Sequence, residues 1–101
     1  MMDFEGHVQV ALDALPPDLA AGLKNVAVVV EEENLDEPDI FGLFEEVPYL
    51  PAKVTVYSRP LEEDFGDDPE ELERQILITV LHELAHYFGI DDERLEELGY
   101  R

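Results

Sequence analysis

The chain has 101 residues, 26 of them acidic and 6 basic, for a formal net charge of -20, and it contains no cysteine. That length suits a single domain, 1–101, with one modest core. The lack of thiols excludes a disulfide framework and leaves any metal to His and carboxylate ligands. The charge opposes a phosphate backbone, whose binding depends on Lys and Arg, so nucleic acid is excluded as a partner.

No apolar run approaches the ~20 residues needed to span a bilayer, so no membrane partner is expected. The acidic start MMDFEGHVQV lacks the basic region and apolar stretch of a signal peptide. A cytoplasmic location is the expectation. Two readings of the charge stay open, attraction for basic peptides or plain solubility.

Asp3 can cap a first helix in which Phe4, Val8, Ala11, Leu12 and Leu15 recur at helical spacing, and Pro16-Pro17 ends it. His7 falls off that stripe and reads as a solvated surface residue. Asp18 to Leu23 adds a short helical turn. VAVVV within 25–31 is β-branched and apolar on both faces, which predicts a central strand covered on each side. The acidic stretch 32–39 reads as a solvated loop and lacks calcium-loop spacing.

Ile40 to Val47 is a second strand candidate, whose interior Gly42 permits a bulge or the close approach of another backbone. Val54 to Ser58 is a third, with Val54 and Val56 on one face and Thr55 and Tyr57 on the other. Pro48, Pro51 and Pro60 mark the joints. Asp68-Pro69-Glu70-Glu71 is a strong helix start, with Asp as N-cap, Pro at the first helical position and Glu71 completing a capping box. The helix runs to Phe88, its first turns charged and its later ones apolar almost all round, so it enters the core and brings its polar residues to a partly dry site. A last short helix spans Glu93 to Leu98, with Asp91 as its cap and Gly99 after it.

Inside the long helix, His82-Glu83-Leu84-Ala85-His86 forms an HExxH motif. Residues four apart share one helix face, so both imidazoles can reach one metal ion, and Glu83, turned by ~100°, stands beside that ion where it could take a proton from water. Gly89 and Asp92 extend the pattern to HExxHxxGxxD. Glycine allows the turn that ends the helix, and a carboxylate three residues later can supply a third ligand. Glu96 and Glu97 are the alternatives for that third position. Composition alone would give the extended pattern on the order of once in ten thousand shuffles, which makes accident a weak explanation.

ITVLHELAHYFGIDDERLEELGY resembles the minimal zincin-like metallopeptidases, a family of small bacterial proteins. FGLFEEVP at 41–48 and VTVYSRPLE at 54–62 resemble their strand segments. The resemblance implies an α+β minimal zincin-like fold, with a small mixed sheet packed on a long HExxH helix, an N-terminal helix and a short C-terminal one. It implies zinc (Zn2+) held by His82, His86 and Asp92, with Glu83 as general base, and a peptidase that hydrolyses peptide bonds through a metal-activated water. Asp92 stands where metzincin-type motifs usually carry a third His, and no methionine follows Gly89. In such enzymes a peptide or protein substrate lies along an edge strand beside the helix, and Phe41 to Glu46 is the candidate edge. Glu45 and Glu46 would favour basic sequences or would merely guard the edge against aggregation. Tyr57, Tyr87 and Tyr100 are oxyanion-stabilising candidates by type, with packing the more ordinary role. A non-catalytic metal-binding or protein-interaction module on the same scaffold is the alternative function, and Glu83, which a pure binding site does not need, argues for the enzyme.

Overall fold

The computed structural model describes residues 3–88 and 92–97, with every side chain in them except those at 86–88, 92 and 95. In chain order the elements are α1 (Phe4–Asp13), α2 (Pro17–Gly22), a 3-10 turn (Leu23–Asn25), β1 (Val26–Glu31), β2 (Gly42–Glu45), β3 (Ala52–Tyr57), α3 (Ser58–Phe65), α4 (Pro69–Phe88) and α5 (Asp92–Glu97). The expected α+β class with a small mixed sheet is what the chain forms.

Local signals account for the helix boundaries. Asp3 caps α1 by accepting from the Gly6 amide at 2.8 Å. Pro17 opens α2 at a position where a missing N–H costs nothing. Asp68 caps α4 through Glu70 N and Glu71 N, as its sequence foretold. The return half of the capping box is replaced: Asp68 N donates to Phe65 O, and Glu71 Oε1 accepts from Gln75.

The sheet has the order β1-β3-β2, with β1 parallel and β2 antiparallel to β3. This corrects the expectation for VAVVV. β3 is the central strand, with Val54, Thr55 and Val56 fully buried, whereas β1 lies at one edge with Ala27 and Glu31 exposed. An apolar strand reports cover above and below the sheet, and says nothing about pairing along its sides.

Val54 and Val56 face the helices together with Val28, Val30 and Phe44, and Thr55 and Tyr57 face the other way, as their alternation predicts. On the helical side α4 runs beneath β2 and β3, and α1 packs along α4. Val8, Ala11 and Leu15 from α1 join Leu72, Ile76, Leu77, Val80, Leu81 and Leu84 from α4 in one core.

Two further corrections concern single residues. His7 is not a solvated surface group: its Nδ1 lies 2.6 Å from Glu73 Oε2, and the pair bridges α1 and α4 with side chains only 15% and 22% exposed. It flanks the apolar stripe closely enough for α4 to cover it. Pro60, expected to mark a joint, sits inside α3, because the first turn of a helix tolerates the missing N–H; the second half of VTVYSRPLE is therefore helix and not strand.

The acidic stretch 32–39 is a loop as expected, and it is well tied. Asn34 Oδ1 accepts from Asp36 N and Glu37 N, and Asn34 Nδ2 donates to the Tyr57 hydroxyl at 2.9 Å. Arg59, at the start of α3, reaches across it. Its guanidinium donates to Glu33, Glu63 and the Pro38 carbonyl and lies 3.6 Å from Asp39. Hydrogen bonding to Glu63, followed by the charge of Glu63 and Glu33, holds the Arg59 pKa above its ordinary value.

Candidate active site

α4 carries a second stripe, on the side away from the core. Gln75, Ile78, Thr79, His82 and Glu83 recur at spacings of three and four, so they line up along one face. That face forms one wall of an open cleft of about 500 Å3, and Asp39, Ile40, Phe41 and Gly42 form the other. The signal for the helical wall was present in the sequence as periodicity. The signal for the second wall was not, since it depends on how the loop before β2 folds back.

Phe41 is fixed by an edge-to-face contact with Phe65, their ring centroids 5.9 Å apart, and by its carbonyl, which accepts from Tyr57 N. Gly42 brings β2 against the helix. A β-carbon built on it would fall 2.6 Å from Thr79 Cγ2, 3.2 Å from Thr55 O and 3.5 Å from Glu83 Cγ. The strand register is uninterrupted, so the glycine makes no bulge, and what it chiefly makes room for is the Thr79 side chain and not another backbone. β2 is the sheet edge nearest Glu83, and among the described residues it pairs only with β3.

His82 and Glu83 thus share the cleft. His82 is exposed and Glu83 half-buried, so the site is more open to water than the expectation of a partly dry pocket allowed. Among the described residues, one short strand and its preceding loop face the helix there. α4 is continuous through residue 86, which sets that backbone position one turn beyond His82 on the same face.

The side chains of His86, Tyr87 and Asp92, like the whole of Gly89, Asp91, Gly99 and Tyr100, lie outside the described residues. Among the described residues no three His, Asp or Glu side chains converge as a metal cluster. Asp92 opens α5, which is tied to α2 by Arg94 and Asp18 at 3.3 Å; Glu97 approaches Arg94, and Glu96 is exposed.

Tyr57 is only 2% exposed and turns to the far face of the sheet, where Asn34 holds its hydroxyl, so it packs and does not line the cleft. Glu45 lies 3.5 Å from Lys53, its cross-strand partner, which offsets its charge on the edge.

The sequence pattern of the zincin-like metallopeptidases matches residues 23–100, from the turn before β1 to beyond α5. The chain belongs to that family. No curated protein matches the chain significantly in sequence. Zincin-like metallopeptidases typically use zinc. The HExxH residues of this chain lie on α4. No helix among the described residues is long and apolar enough to cross a membrane.

Proposed function

We propose that this metallopeptidase is zinc-dependent, with His82, His86 and Asp92 as ligands and Glu83 as the general base of peptide-bond hydrolysis. The donor types suit the metal: two imidazoles and a carboxylate form a set that Zn2+ accepts while keeping a fourth position open. When bound, zinc would supply Lewis acidity, which makes water a better nucleophile and polarises a carbonyl.

The chain's own residues do the rest. Glu83 stands one residue from His82 on the cleft wall, where its carboxylate can accept a proton from water and return it to the leaving amine. A peptide laid along the outer side of β2 would pass the same wall, held by backbone pairing to the edge strand. Ile40, Phe41 and Ile78 offer its side chains apolar contact, and the acidic groups nearby, Asp39 on the cleft wall and Glu45 on β2, each already face a cation, Arg59 and Lys53, so neither marks a strong preference for basic residues.

The observation that carries the reading is the meeting of His82, Glu83 and edge strand β2 in one open cleft. Its test is Glu83→Gln, which removes the base without removing a ligand. Zinc content unchanged with hydrolysis lost by 100-fold or more supports the role, in line with the usual worth of a general base. Wild-type turnover in the mutant refutes it.

A further inference from the structure

β1 is an edge without the usual protection. Its six residues, VAVVVE, contain no proline and no lysine, and among the described residues nothing pairs with the side that faces away from β3. One parallel neighbour satisfies only part of a strand's backbone groups, and the outward ones form a template for another strand. Beside this edge runs an open groove lined by Glu5, Val8, Gln9 and Leu12 of α1 and by Val28, Val29 and Val30 of β1.

We propose that this edge is the interface of a symmetric homodimer in which β1 pairs antiparallel with β1 of a second copy, giving a continuous six-stranded sheet. The sequence of the edge is complementary to itself in one register. A twofold axis at Val28 sets Val28 against Val28, Val26 against the second copy's Val30, and Ala27 against its Val29. It also brings Lys24 of each copy towards Glu32 of the other.

Directly opposed residues share a face, so the helix-side valines, Val26, Val28 and Val30, meet valines. Moving the axis to Val29 sets Ala27 against Glu31 and leaves Val26 opposite Glu32, beyond the strand, and moving it to Ala27 leaves Val29 and Val30 opposite the 3-10 turn at 23–25, with no strand to pair. Only the Val28 axis pairs apolar with apolar and cation with anion, and an isologous contact of this kind closes at two copies. With a net charge of -20 on each chain, the copies repel at long range. Added salt screens that repulsion and strengthens the dimer.

Sedimentation equilibrium of the full chain tests this. The expected result is a species of twice 11.5 kDa whose association tightens between low and moderate salt. Lys24→Glu turns two attractions into two repulsions and should raise the dissociation constant about tenfold, and the exchange K24E/E32K should restore it. Lys24 and Glu32 are exposed, so folding is spared. The chain has no thiol of its own, so the variant A27C/V29C should oxidise to a covalent dimer while neither single variant does. A chain that stays monomeric at high concentration overturns the proposal, and so does a dimer indifferent to Lys24→Glu or one that A27C/V29C fails to cross-link.

Discussion

Gly42 and Thr79 approach so closely that a β-carbon on the glycine would lie 2.6 Å from the threonine methyl, which makes this contact the seam between the edge strand β2 and the HExxH helix α4. Thr79 cannot turn aside cheaply, because its Oγ1 donates to Gln75 O at 2.8 Å and fixes its rotamer. Gly42→Ala is therefore expected to cost about 1–3 kcal/mol of stability, as overpacking does, and to lower kcat/KM by widening the cleft. Thr79→Ser deletes the methyl and keeps the hydroxyl, so G42A/T79S should recover most of both losses. Chemical denaturation and peptide hydrolysis measure them, and full stability in G42A alone would show that the seam is loose.

Arg59 governs the other wall through the loop at 32–39. Arg59→Met removes the donors to Glu33, Pro38 and Glu63 and should expose the loop's glutamates to a Glu-specific protease while the core stays folded. Because Asp39 and Phe41 line the cleft, KM should rise more than kcat falls. Lysine should rescue poorly, since a single ammonium cannot span partners that a planar fork reaches together. Equal protease resistance in Arg59→Met and wild type would remove the anchoring role.

Thr55 Oγ1 is fully buried and finds no hydrogen-bond partner among the described residues. An unsatisfied buried hydroxyl carries a desolvation cost of about 1–3 kcal/mol, so Thr55→Val should leave stability equal or higher, against the ordinary trend for core substitutions. A clear loss in denaturation midpoint would mean that the hydroxyl is bonded after all.

Local chemistry in the sequence foretold what local chemistry decides. The caps at Asp3 and Asp68, the full span of α4 and the alternation of Val54, Thr55, Val56 and Tyr57 were legible because each depends on neighbours within a few residues. The place of β1 was not, because apolarity on both faces describes layers and leaves lateral pairing open. Nor was the half-buried pairing of His7 with Glu73, 66 residues away, or the reach of Arg59 to Glu33 and Pro38. At the site, HExxH named His82 and Glu83, but the cleft's second wall came from Gly42 and the loop before it, whose position follows from tertiary packing.

The central claim is that α4 presents a zinc site, and metal content measures it most directly. Wild-type protein dialysed against metal-free buffer and then supplied with Zn2+ should retain about one ion per chain. His82→Ala and His86→Ala should each lose it, and wild type should release it in acid, where protons compete for the imidazoles. Wild type that neither carries zinc nor takes it up, or a His82→Ala variant that holds it as tightly as wild type, would contradict the account.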